Sequence, residues 1–466
     1  MPESVKDPAS SSSTPETADK LTPIGKYRWV ICALLFFATT INYMDRSVLG
    51  VLGPTLRDKV FHWTTEQYSW ITISFQSAYA IGLLLMGGII DRIGVRLGYV
   101  VAIGLWSIFG ILHATIRPAF SLAGFMIARF GLGFGEAGNF PACIKTVAEW
   151  FPKRERALAT GIFNAGTNVG AVLTPLVIPF IVGPDGSHWQ IAFLITGTFS
   201  IIWVITWLRV YRPPQEHPRL SRAEFNYIHS DSTEESVDKK QALSLIKGIV
   251  SILRSWGRVI PLKETWAFAI GKTTDAVWWF YLFWGGFFFA DKFHLDIKQL
   301  GLPLVVIYVG ADVGSVLGGW LSGAFMKRGW PLNKARKMTL LVCALSIMPV
   351  AFATASNNQW IAVALIALGA AGHQAWSANL FTFVSDIFPK KATASVVGFG
   401  GMIGSAVSLL ANLTLGKILK AGEGTGYSSA FIVAGSLYLS VLLIMHLITP
   451  KMVPLDADLK PSGVRQ

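Results

Sequence analysis

Apolar stretches of membrane-spanning length recur along this chain, separated by short polar or basic connections. A helix crossing a bilayer needs about 20 mostly apolar residues, and the pattern predicts twelve such spans. They fall near 27–49, 68–90, 97–116, 119–144, 157–182, 189–209, 265–289, 302–326, 338–355, 359–384, 392–419 and 429–449. Several contain Gly or Pro, which tilted or kinked membrane helices tolerate. Residues 1–26 are rich in Ser, Pro, Thr and charge and cannot bury enough apolar surface to order, so a disordered tail is expected. The first apolar run lacks a small-residue cleavage pattern and is expected to remain as a membrane helix.

Composition supports this reading. Of 466 residues 52% are apolar and 14% charged, where a soluble domain carries about 25% charge. The apolar excess must face something other than water. Three cysteines, Cys32, Cys143 and Cys343, lie far apart in apolar stretches, so neither a disulfide framework nor a metal site is indicated and no cofactor is expected. A surplus of 40 Lys and Arg over 27 Asp and Glu gives a net charge of +13. Nucleic-acid binding would concentrate those cations on one face or arm. Here they sit in short clusters between apolar runs, and nucleic acid is not an expected partner.

The clusters orient the chain. Connections after the second, fourth, sixth, eighth and tenth spans hold about 22 Lys and Arg, and the alternating set about seven. This bias places both termini and the long loop in the cytoplasm. The expected organisation is an all-α integral membrane protein. A cytoplasmic N-terminus (1–26) precedes a six-helix bundle (27–210), a cytoplasmic linker (211–264), a second six-helix bundle (265–450) and a cytoplasmic tail (451–466).

A trace of repetition relates the two bundles. Phe151-Pro152-Lys153-Arg154 is followed by Gly161, and Phe388-Pro389-Lys390-Lys391 by Gly398, at the same offset and after the fourth span of each half. Duplicated bundles of this kind are transporter architecture.

Ionisable groups at bilayer depth cost at least about 2.5 kcal/mol each, so those inside spans point to function. Span one carries Asp45 beside Arg46, span four Arg129 and Glu136, and span seven Lys272 and Asp275. Asp312 and His373 complete the set. Arg129 and Glu136 lie seven residues apart, two turns along one face. Lys272 with Asp275 either pins the bundle or meets substrate, and Asp312 either packs, gates or meets substrate. Two carboxylates and two arginines in two helices give each acid a choice of arginine or proton, and each arginine a choice of acid or anion. Such arithmetic suits a proton-coupled anion carrier. Glycine-rich spans, including Gly131, Gly133, Gly135 and Gly138 and later Gly398, Gly400, Gly401 and Gly404, let helices approach and rock. Tyr43, Tyr79, Trp376 and one of Trp278 and Trp279 could line a cavity for a polyhydroxylated ligand.

At this point the sequence resembles a known family. Gly87-Gly88-Ile89-Ile90-Asp91-Arg92-Ile93-Gly94-Val95-Arg96, between spans two and three, is similar to the GxxxD(R/K)xGxR loop of the major facilitator superfamily. The counterpart, Gly319-Trp320-Leu321-Ser322-Gly323, lacks the aspartate. Ile41-Asn42-Tyr43-Met44-Asp45-Arg46 and the run from Arg129 to Pro141 resemble the anion:cation symporters. The stretches around Lys272 to Trp284, Ala311 to Gly314, and His373 to Asn379 resemble the bacterial hexuronate transporter branch.

The resemblance implies symport of glucuronate or galacturonate with protons by a monomer in the bacterial inner membrane. Related branches take galactonate, glucarate or tartrate. It implies that Arg46 meets the substrate carboxylate and that Tyr43 and Tyr79 approach the sugar. Asp45 and Glu136 become the proton-linked acids, with Arg129 poised to pair with a deprotonated carboxylate. Asn164, Thr167, Lys272, Trp279, His373, Trp376 and Asn379 are further substrate candidates. Thr167 stands where galactonate carriers place a glutamine. Gly87, Asp91, Arg92, Gly94 and Arg96 form a conformational latch. An enzyme would need a base and nucleophile or a metal cluster, and no such spacing is found. A substrate sensor would need an output domain, which the linker and termini are too short and polar to provide.

Overall fold

The computed structural model describes residues 25–182, 188–230, 256–294, 301–421 and 425–462, almost wholly as helix. The expected disordered N-terminus lies outside these residues apart from its last two, as does the middle of the linker. The first group of helices is α1 (Tyr27–Thr55), α2 (Thr65–Leu112), α3 (Ser121–Glu136), α4 (Asn139–Trp150), α5 (Lys153–Val182) and α6 (Trp189–Val210). A short α7 (Arg222–Ile228) follows. The second group is α8 (Lys263–Lys272), α9 (Asp275–Phe293), α10 (Gly301–Lys327), α11 (Leu332–Ile347), α12 (Gln359–Ile387), α13 (Lys390–Ala421) and α14 (Thr425–Ile448).

Among the described residues, nine helices are long and apolar enough to cross a membrane. Trp70–Thr115 counts once, yet its 46 residues reach about 70 Å, twice a hydrocarbon core. Two separate spans are expected from sequence here, and Gly94 interrupts the run between them with φ of 80°. That left-handed backbone is where glycine alone is unstrained. Span four is likewise broken, into α3 and α4 across Ala137 and Gly138, and span seven into α8 and α9 across Thr273 and Thr274. Large apolar side chains including Ile108, Phe130, Leu317, Trp320 and Leu447 stand exposed on the helix bundle, as lipid-facing surface requires.

The two groups meet where α2 crosses α13 and where α5 crosses α10. Each crossing is made by glycine. A β-carbon on Gly87 would collide with the Ala394 carbonyl, and one on Gly398 with that of Leu83. At the other crossing Gly319 lies against the Ala157 carbonyl and Gly161 against that of Ser315. The two glycines that follow the recurring Phe-Pro motif, Gly161 and Gly398, therefore occupy matching positions at matching crossings.

These contacts lie toward the end of the bundle where α1 begins and α6 ends, here called the basic end for Lys145, Arg156 and Arg336 buried there. Segments after α6 and α14 cap this end. Glu224 of α7 accepts from the backbone of Tyr27 (3.1 Å) and Arg28 (3.1 Å), closing the first turn of α1. After α14, Leu455 donates from its backbone to Ile387 (2.7 Å) and Met452 to Asn333 (3.2 Å). The tail to residue 462 is thus docked against the second group of helices.

Candidate functional site

Consecutive residues on a helix point about 100° apart, so Asp45 and Arg46 face different neighbours. Arg46 turns toward α2 and α3. Its guanidinium lies over the rings of Tyr43 (4.8 Å), Phe75 (5.3 Å) and Tyr79 (4.5 Å). Tyr43 shares its face at i, i+3, while Phe75 and Tyr79 form an i, i+4 pair on α2. Arg46 Nε donates to Glu136 Oε2 at 2.9 Å. Glu136 is fully buried, the last residue of α3 before the break.

The glycines of α3 bring that carboxylate within reach. A β-carbon on Gly133 would lie 2.6 Å from the Phe75 carbonyl oxygen, and one on Gly135 2.7 Å from the Trp106 nitrogen. Both fall inside van der Waals contact, so α3 packs directly on the α2 backbone. Arg129, two turns earlier, donates from Nη1 to the Arg46 carbonyl at 3.3 Å. Glu136 thus pairs with Arg46 across helices rather than with Arg129 along its own.

Several polar atoms here are buried without a hydrogen-bond partner among the described residues: Arg46 Nη2, Arg129 Nε and Nη2, and Glu136 Oε1. Guanidinium donors seldom stay unmatched in a finished interior. Two arginines with spare donors beside aromatic faces have the chemistry to receive a carboxylate on a ring-bearing ligand. Asp45 turns the other way, into α6, where Ser200 Oγ donates to its Oδ2 at 2.9 Å.

Across the bundle, the break between α8 and α9 places Lys272 Nζ 2.5 Å from Asp275 Oδ2 and 4.5 Å from the centre of the Phe381 ring. Phe381 stacks in turn on Phe140 of α4 at 5.4 Å, joining the two groups. His373 stacks on Trp278 at 5.4 Å, and its Nδ1 lies 2.5 Å from the Tyr438 hydroxyl. Trp376 sets its edge on Tyr438 (5.3 Å) and keeps a buried Nε1 without a partner among the described residues. Asn379 Nδ2 donates to the carbonyls of Gly318 and Ala375, both at 2.9 Å, while its Oδ1 is buried without a partner among the described residues. The side chain of Trp279 lies outside the described residues.

Polar contacts also bridge α5 and the second group. Asn164 Nδ2 donates to Ser315 (3.2 Å) and Gln374 (3.0 Å), and Asn168 to Asp312 at 2.6 Å. Thr167 instead donates to the Asn164 carbonyl of its own helix at 2.8 Å.

At the basic end the loop motif has a defined geometry. Asp91 takes Lys145 at 2.9 Å and accepts from the backbone of Ala394 (3.2 Å) and Ser395 (2.7 Å) in the first turns of α13. Gly87 and Gly94 serve the close crossing and the chain break described above. Arg92 follows half-buried, and Arg96 donates to the Leu208 carbonyl at 3.0 Å.

The second group lacks the matching aspartate, and Asp386, at the end of α12, joins the groups there instead. It pairs with Arg336 at 2.8 Å and with Arg156, from the first group, at 3.4 Å. Arg156 also bonds the Ser385 carbonyl, and Arg336 that of Lys153 at 2.7 Å. Sequence reasoning missed Asp386, although it stands three residues before Pro389 just as Glu149 precedes Pro152. Ser200, Phe75 and Gln374 carried no comparable signal, because a lone hydroxyl, ring or amide inside a span is ordinary.

Comparison with known proteins adds three findings. A model of the Major Facilitator Superfamily matches residues 35–412. The chain is 29% identical over 410 residues to the hexuronate transporter of Escherichia coli (strain K12), covering 87% of this chain and 90% of that protein. It is 29% identical to the galacturonate transporter of Dickeya chrysanthemi, covering 74% and 95%. Among solved structures, the proton:xylose symporter XylE bound to 6-bromo-6-deoxy-D-glucose superposes with a TM-score of 0.68 at 14% identity, over 90% of this chain and 95% of that one. That likeness is one of fold.

Proposed function

The chain belongs to the major facilitator superfamily, a family of membrane transporters rather than enzymes, and from that premise we propose that it symports a hexuronate with protons by alternating access. The carrying observation is Arg46, a guanidinium framed by Tyr43, Tyr79 and Phe75 with a donor to spare. Galacturonate and glucuronate each offer one carboxylate for that donor and a hydroxylated ring for the aromatic faces. The relatives named for hexuronate and galacturonate support the same substrate class.

In this reading twelve spans form two six-helix halves, residues 27–210 and 265–450, with both termini and the 211–264 linker cytoplasmic. The basic end is then the cytoplasmic face, and its packed glycine crossings correspond to an outward-open carrier. Protonation of Glu136 breaks its pair with Arg46, and protonation of Asp45 as well leaves the charge of Arg46 and Arg129 free for the anion. Rocking of the halves breaks the Asp91 and Asp386 contacts and exposes the site inward, where proton loss restores the Arg46–Glu136 pair and expels the substrate. Coupling follows because neither half-loaded state neutralises the cavity, and burying an unbalanced charge costs several kcal/mol. Lys272, Trp279, His373, Trp376 and Asn379 complete the site from the second half, and Asn164 and Thr167 from α5 of the first.

The test is uptake into proteoliposomes of labelled galacturonate, competed by glucuronate, galactonate and tartrate at two pH values. Inward proton gradients should drive accumulation, with glucuronate the strongest competitor. Stronger competition by galactonate or tartrate would move the substrate assignment to that acid. Accumulation indifferent to the gradient would remove the coupling.

A further inference from the structure

Asp45 is buried in a setting of its own. It faces α6 rather than the rings around Arg46, and Ser200 donates to it, Oγ to Oδ2 at 2.9 Å, with the Thr196 side chain beside it. Ser200 is fully buried and is engaged on two further sides. Trp106 Nε1 of α2 donates to its oxygen at 3.0 Å, and the Thr196 carbonyl lies 3.3 Å away as an alternative acceptor. Asp45 Oδ1 has no partner among the described residues. The charged groups acting on Asp45 are Arg129 and Glu136 on α3, with Arg46 next to it on its own helix. From α6 come only hydroxyls, Ser200 and Thr196. The charges of α4 and α5 lie at the basic end, where Glu155 meets Arg28 (2.7 Å), about 25 Å along α1 from Asp45.

A serine hydroxyl has one proton to donate and two lone pairs to accept with. Trp106 occupies one lone pair in every state, because an indole N–H only donates. When Asp45 is a carboxylate, the Ser200 proton points to Oδ2. When Asp45 is protonated, Oδ2–H donates to the second lone pair, and the Ser200 proton turns to the Thr196 carbonyl. Both acceptors already lie within reach, so one bond rotation serves both protonation states without moving a heavy atom. The geometry points to Ser200, backed by Trp106, as the positioning residue that lets Asp45 gain and lose a proton inside a closed helix packing. The inference deepens the symport reading and rests on Asp45 being a proton carrier.

A structural serine would behave differently, since many buried helix serines merely bond the carbonyl four residues back. The experiment compares wild type, Ser200→Ala, Ser200→Thr, Trp106→Phe and Asp45→Asn in proteoliposomes. It measures exchange of labelled for unlabelled galacturonate, accumulation under an imposed pH gradient, and the pH profile of uptake. Ser200→Ala should keep exchange within about twofold of wild type while losing accumulation roughly tenfold and displacing the pH profile by about one unit, the effect of a hydrogen bond to a charged group. Ser200→Thr should restore both, and Trp106→Phe should fall between.

If Asp45→Asn loses accumulation while Ser200→Ala matches wild type, the Ser200 inference is overturned and the symport reading stands. Equal loss of exchange and accumulation in Ser200→Ala, without rescue by threonine, also overturns it, as a packing defect. If Asp45→Asn itself accumulates substrate normally, the failure belongs to the reading of Asp45.

Discussion

Arg46 gathers the residue-scale chemistry. It touches rings from two helices and a buried carboxylate from a third, and lysine reproduces neither the planar stacking nor the directed Nε bond. Arg46→Lys should therefore lose most uptake, and Arg46→Ala all of it together with substrate binding. Removing the arginine also leaves Glu136 buried without its cation, which costs about 3–5 kcal/mol. The thermal midpoint in detergent should fall sharply for Arg46→Ala and recover when Glu136→Gln is added. In Glu136→Gln alone, gradient-driven accumulation should fall at least about tenfold relative to exchange, because the amide carries no proton cargo. Accumulation surviving in that variant would remove Glu136 from the proton sites.

At the scale of helices, glycine position governs which elements touch. Gly133 and Gly135 seat α3 on the backbone of α2 and so fix the reach of Glu136. Gly87, Gly161, Gly319 and Gly398 do the same at the crossings between groups. A valine at Gly398 would drive its side chain into the Leu83 carbonyl, and overpacking of this kind costs about 1–3 kcal/mol. In the proposed cycle only the arrangement with a closed basic end bears that cost. Gly398→Val should shift the carrier toward the opposite state, read as increased labelling of a cysteine placed at the basic end and decreased labelling of one at the far end. Unchanged labelling would mean that the crossing opens without relation to the cycle. Glycine counts alone do not distinguish these positions, since a glycine against lipid and one against a carbonyl look alike in sequence.

For the molecule as a whole, the basic end carries two unlike sets of contacts between the groups, proposed here to act as latches. Asp91 holds the start of α13 directly, while Asp386 works through Arg336 and Arg156. Asp386→Asn weakens both arginine contacts at once, so it should raise basic-end cysteine labelling as much as Asp91→Asn. The double variant should exceed either, because the latches share no residue. Much of this was legible from sequence. Hydrophobic runs of bilayer length, basic residues between them, a repeated Phe-Pro motif and a few ionisable residues at depth determined an all-helical membrane carrier and named Asp45, Arg46, Arg129 and Glu136. Periodicity along one helix suffices for that, since lipid forces every backbone polar group to be satisfied within its own helix. Which charges pair was decided only in three dimensions: Glu136 takes Arg46 instead of its helix neighbour Arg129, Asp45 turns to Ser200, which Trp106 bonds in turn, and Asp386 joins Arg336 and Arg156 across the groups. Pairing depends on the rotation and approach of separate helices, and those follow from side-chain packing between segments far apart in the chain.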